Sequence, residues 1–232
     1  MIQSMLYWAN VSVHCNEEYQ VIFPPDVQAG TDHSKVYFTP WKEGPITSRS
    51  NQNVDLSWWK NFTESGRSIF AWDSKMSFLA GYDYGKDAGT VHVANRHQVP
   101  GKKFFLWGNT PSGHMWNKIL SDNDGHYLEL MVGAYSDNQP DYSWINPGEI
   151  REFSQIWFPV KGIKGVKNAT VEGAVNFEPA ENGQYLVGYN ATTAYKNARV
   201  IVKYKDQILM DKRIDIDPEK YFLDKVDRKS VV

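Results

Sequence analysis

Apolar residues along this chain recur mostly at every second position, in short runs broken by Gly, Pro, Asn and Asp, while helical periodicity is scarce. The runs NVSVHC (10–15), YQVIFP (19–24), SIFAWD (68–73), GTVHVAN (89–95), KKFFLWG (102–108) and HYLELMVGAY (126–135) predict strands. So do REFSQIWFPV (151–160), ATVEGAVNFE (169–178), QYLVGYNA (184–191), ARVIVKYKD (198–206) and QILMDKRIDI (207–216). So many short strands, joined by loops of varied length, predict an all-β antiparallel sandwich rather than alternating α/β units. Trp116–Leu120 fits a single helical turn, and the closing YFLDKVDRKSVV either begins a helix or frays as a tail.

Composition shifts near residue 168, from Trp- and Gly-rich segments with long polar loops to short strands separated by turn residues. Downstream, Val200, Val202 and Tyr204 alternate with Ile201 and Lys203, and a hairpin is expected around Lys205-Asp206-Gln207. Two units are predicted: a β-sandwich over 1–170, and a small β domain or fragment with a C-terminal tail over 171–232.

The chemistry lies in the strand faces. In HYLELMVGAY, Leu128, Leu130 and Val132 share one face, and Tyr127, Glu129 and Met131 share the other. Burial of an unpaired carboxylate costs several kcal/mol, so Glu129 needs a partner, a wet cleft or the solvent face. Phe105 and Trp107 are in phase, as are Phe153, Gln155 and Trp157, and His92 opposes Val91 and Val93. If these strands are neighbours, one concave face presents His92, Trp107, Glu129, Gln155 and Trp157. An acid, an imidazole, an amide and indole plates suit sugar hydroxyls and ring faces. An ordinary solvent face for Glu129 and His92, with the Trp residues in the core, fits the same pattern. The loop GYDYGKDAG (81–89) is dense in Gly, Asp and Tyr, and SDNQPDYSW (136–144) offers Asp137, Asn138, Gln139, Asp141, Tyr142 and Trp144. Amides and carboxylates there suit neighbouring hydroxyls, and the rings suit stacking, although the same residues also make turns.

A formal charge of −2 supplies no basic field for nucleic acid. Aromatic residues make up 14% of the chain, enough either to fill a sandwich core or to line a sugar site. Cys15 is the sole cysteine, so no disulfide forms within the chain and no Cys-based metal site exists. SDNDG (121–125) lacks the spaced acceptors of a calcium loop and reads as a turn; no metal or cofactor is predicted. Neither an 18-residue apolar run nor an export signal is present, which leaves the compartment open. The sequons at Asn10, Asn61, Asn168 and Asn190 mark surface turns.

The strings LYWANVSVH (6–14), GYDYGKDAGTVHVANRHQVPGKKFFLWGN (81–109), YLELMVGAYSDNQPDYSW (127–144) and FSQIWFPVKGIKGVKNAT (153–170) resemble a bacterial domain family of unknown function. That family is often followed by tetratricopeptide repeats and is placed with the galactose mutarotase-like supersandwich proteins. The resemblance implies a large two-sheet sandwich with a sugar-facing concave sheet, Asn109 of the WGN string included, and a small β domain after it. It also implies that further β structure precedes the matched part, so that this chain resembles a truncated member with a sheet edge open to self-association.

Carbohydrate binding, as part of a glycoside hydrolase-like protein, is therefore the expected function, with Trp107, Asn109, Asn138, Gln139, Tyr142, Trp144, Gln155 and Trp157 as sugar contacts. Catalysis is the alternative: hydrolysis through Glu129 with Asp137 or Asp141 as second carboxylate, or epimerisation through Glu129 and His92. The epimerase His-Pro-x-Phe-Asn pattern is absent. A protein-interaction scaffold is the third reading.

Overall fold

A computed structural model describes residues 3–32, 37–38, 45–47, 50–53, 55–63, 66–71, 73–135 and 142–227. Its first strands are β1 (Gln3–Met5), β2 (Tyr7–His14), β3 (Tyr19–Ile22), β4 (Gly30–Thr31), β5 (Tyr37–Phe38), β6 (Pro45–Thr47) and β7 (Ser50–Asn53). Next come β8 (Arg67–Ala71), β9 (Phe78–Asp83), β10 (Ala88–Ala94), β11 (Gly101–Leu106), helix α1 (Pro111–Ser121), β12 (Tyr127–Ala134), β13 (Ser143–Ile145) and β14 (Gln155–Lys161). The last are β15 (Asn168–Thr170), β16 (Gly173–Pro179), β17 (Gln184–Ala191), β18 (Tyr195–Tyr204), β19 (Gln207–Ile216) and β20 (Phe222–Asp227).

Two antiparallel sheets form the sandwich: a large one, ordered β2-β12-β11-β8-β4-β5, and a small one, ordered β14-β10-β9-β3. Tyr19, Val21 and Leu79 of the small sheet meet Ile69, Phe104, Leu128 and Leu130 of the large sheet in the core between them. Each buried leucine or phenylalanine there contributes roughly 1.5–3 kcal/mol relative to exposure. The all-β expectation holds.

The small sheet is covered on its other face too. Phe78, Ala80, Tyr82, Val91 and Val93 pack against Ile163, Val166, Ala169 and Ala174 from the segment beyond. Strand β9 is therefore buried at every position, and its sequence FLAGYD shows no alternation. For that reason the pattern does not predict β9, and Gly81-Tyr82-Asp83, expected within the loop GYDYGKDAG, is the end of this strand. Gly81 is required by close approach: a Cβ at this position would overlap the buried Tyr19 hydroxyl.

In the third part, β15-β16-β17-β20 form a sheet over which the β18–β19 ribbon lies. Val187, Met210, Ile216, Phe222 and Val226 fill the space between them. Two sequence expectations change here. ATVEGAVNFE is a hairpin, with Asn168 opposite Val175 and Thr170 opposite Gly173. The closing segment holds a strand, because Phe222 pairs with Tyr189 and Val226 with Tyr185. The hairpin at Lys205-Asp206 forms as expected, with Tyr204 facing Gln207.

The single turn expected at Trp116–Leu120 is the second half of α1. Thr110 caps the helix by accepting from the Gly113 N–H at 3.1 Å, and Pro111 opens it, where a missing N–H costs nothing. Buried Asn117 ties α1 to the large sheet by donating to the Gly113 carbonyl and accepting from the Tyr127 N–H.

Candidate functional site

Residues opposite one another on adjacent strands share a face. Leu128, Leu130 and Val132 point into the core, so Tyr127, Glu129 and Met131 point outward from the large sheet. Strand register then lays out that outward face. One row runs Ser12, Glu129, Phe105, Ser68. The next runs Asn10, Met131, Lys103, Phe70, Thr31. A third sets Trp8 beside Gly133 and Gly101, so two adjacent strands carry no side chain there.

Polar groups on this face are held in place. The Asn10 amide donates to the Glu129 carboxylate at 2.9 Å, linking neighbouring rows. Lys103 is only 3% exposed. Its ammonium sits 4.8 Å from the Trp8 ring centroid and 5.4 Å from that of Phe70. Among the described residues no carboxylate pairs with it, and burial pushes its pKa down to about 8. At the His14 end of the sheet the Trp107 indole donates to the Tyr127 hydroxyl at 2.9 Å. Trp107 stacks on Trp116 of α1 at 5.3 Å and meets Phe105 edge-on at 4.8 Å. Together these groups make an aromatic wall beside a fixed carboxylate and a desolvated cation.

The expected common face of His92, Trp107, Glu129, Gln155 and Trp157 is corrected by the sheet topology. His92, Gln155 and Trp157 belong to the small sheet, where β10 pairs β14 and His92 faces Trp157. His92 is in phase with Ala94 and opposite Leu79, both in the core between the sheets. It is 1% exposed, hydrogen-bonded through Nε2 to the Gln155 side chain at 2.8 Å and edge-on to Trp157 at 4.6 Å. Burial, with the positive Lys102 adding to it, pushes its pKa down to about 4 against the bond to Gln155. His92 is therefore a neutral interior histidine, and the large sheet separates it from the Glu129 face. The acid–imidazole pair needed for epimerisation is not assembled.

Other predicted contacts are dispersed. Asn109 donates to the Trp59 carbonyl at 3.1 Å and through its N–H to the Phe62 carbonyl at 2.7 Å, fixing the loop beside α1. Tyr142 and Trp144 are 54% and 59% exposed. Trp144 lies on β13, paired with Ser4 of β1, which leads into the Tyr7 end of β2. It is thus at the opposite end of the large sheet from Trp107. Asp137, Asn138, Gln139 and Asp141 lie outside the described residues.

Residues 1–160 match the family model described as Domain of unknown function (DUF5107). The chain belongs to that family. Residues 168–232 match the model described as YphG-like protein, second domain. A crystal structure of a TPR-domain containing protein from Parabacteroides distasonis is similar with a TM-score of 0.50 and 16% identity, over 68% of this chain and 25% of that one. This DUF5107 chain therefore spans a quarter of that protein's length, and the likeness concerns the fold.

Sequence reasoning missed Trp8, Asn10 and Lys103. For Lys103 the signal was present: it is in phase with Phe105 and Trp107 in KKFFLWG, a lysine on the aromatic face of a strand. Asn10 and Trp8 become informative only once β2 is paired to β12. No helix among the described residues is long and apolar enough to cross a membrane.

Proposed function

We propose that the outward face of the large sheet binds carbohydrate. One observation carries this reading: Trp8, Phe105 and Trp107 share a face with the Asn10–Glu129 pair, so apolar plates stand beside oriented hydroxyl partners. Sugars present an apolar ring face and a polar rim, which such a surface matches. The Tyr127 and Trp116 contacts fix the Trp107 ring before a ligand arrives, which lowers the ordering cost of binding. The resemblance to mutarotase-like sandwiches, whose concave sheet receives sugar, points the same way. Among the described residues Glu129 is the carboxylate in the paired rows of this face, so hydrolysis would need a second carboxylate brought to it.

The test is calorimetric titration of the purified chain with a panel of oligosaccharides, with product analysis in parallel, for wild type, Trp107→Ala and Glu129→Gln. Saturable binding weakened at least about tenfold in both variants, at unchanged fold by circular dichroism, is the expected result. Product formed by wild type and lost in Glu129→Gln moves the assignment to hydrolysis. Binding indifferent to both substitutions places the sugar elsewhere and removes the proposal.

A second reading, a protein-docking surface, is favoured by the exposed apolar side of α1, where Met115, Trp116, Ile119 and Leu120 lie open. Self-association or partner capture abolished by Ile119→Lys, with sugar titrations flat, would select it.

A further inference from the structure

We infer that the saccharide taken by this face is anionic and that Lys103 reads its charged group, a carboxylate or a sulfate ester. This rests on the carbohydrate reading above and names the class of ligand at the same site. The argument begins with an imbalance of charge. Lys103 lies within the outward row Asn10, Met131, Lys103, Phe70, Thr31, where every neighbour is neutral. Its ammonium is withdrawn from water yet faces the rings of Trp8 and Phe70 rather than a carboxylate. Glu129, two residues away on the adjoining strand, already accepts from Asn10. Aromatic rings offset part of the desolvation of a cation and leave its charge uncancelled.

A core position filled for stability alone would take an apolar side chain here. A lysine kept without a partner ion is instead poised for an anion supplied from outside, and the rings on either side keep water from screening that pair. In the neighbouring row Gly133 lies next to Trp8 with Gly101 beyond it; both glycines are buried, and the half-buried Trp8 indole is the plate on which a sugar ring can lie. Ring on Trp8 and charged substituent on Lys103 is the pose this geometry selects. Lysine presents a compact point charge rather than a fork, so carboxylate and sulfate both satisfy it.

The experiment titrates the whole chain with three matched sets of oligosaccharides: neutral hexose, the corresponding uronate, and a sulfated hexose. Wild type and Lys103→Met are compared, the variant keeping side-chain volume and removing charge. Wild type should prefer one anionic set over the neutral set by at least about tenfold, and Lys103→Met should lose about 30-fold or more for that set while changing by less than about threefold for neutral sugars. The responding set identifies the anion. Equal affinity of wild type for neutral and anionic sugars, or an anion preference that survives in Lys103→Met, overturns the inference and leaves the carbohydrate reading standing. Flat titrations with all three sets overturn both.

Discussion

Lys103→Met should make the protein more stable, an unusual direction for a substitution at a buried site. An unfolded lysine has a pKa of 10.5, and in the fold burial brings Lys103 to about 8. Between those values the unfolded chain binds the extra proton, so stability climbs as pH rises from about 8 to 10.5 and is lower by the full amount below 8. At about 1.4 kcal/mol per tenfold change in proton affinity, the cost of carrying the charge at pH 7 is roughly 3 kcal/mol. The contacts with Trp8 and Phe70 offset about 0.5–1 kcal/mol each. Methionine matches the lysine stem and places a polarisable sulfur between the same rings. The expected net gain is about 1–2 kcal/mol at pH 7, read as a higher urea midpoint at unchanged m-value by tryptophan fluorescence. Repeating the titration at pH 10 should shrink the difference between variant and wild type. A variant equal to or weaker than wild type at pH 7, or a difference that does not change with pH, would refute the claim that the ammonium is uncompensated.

Two further outcomes follow from the packing of the small sheet. Gly81→Ala should destabilise by about 1–3 kcal/mol, because the new methyl meets the buried Tyr19 hydroxyl and overpacks the centre of the sandwich; a thermal midpoint unchanged from wild type would contradict the close approach. The His92 imidazole should stay neutral until about pH 4, and since its folded pKa lies below the ordinary 6.5, stability falls as pH drops from 6.5 towards 4, by about 3 kcal/mol in all. NMR titration of the ring is the check, and a midpoint near 6.5 would place His92 in water.

The alternation of side chains in HYLELMVGAY, KKFFLWG and ARVIVKYKD is a local property, fixed by backbone geometry, and it determined that the protein is all-β and which residues of each strand travel together. The Lys205-Asp206 hairpin was legible for the same reason. Strand β9 was not, because a strand covered on both faces has no polar side to show. The closing strand β20 escaped because its pairing with β17 is what makes it a strand. The candidate site divides along the same line. That Glu129 opposes Leu128 and Leu130, and that Trp107 follows Phe105 on one face, were properties of the sequence. Which sheet each strand joins was decided by tertiary pairing: it carried His92 into the interior with Gln155 and Trp157 half-buried beside it on the small sheet, and brought Trp8 and Asn10 of β2 beside Lys103 and Glu129. Period-two patterning specifies a face but not a neighbour, since hydrogen-bonded edges are chemically alike along the backbone, and only the packing of whole sheets selects among them.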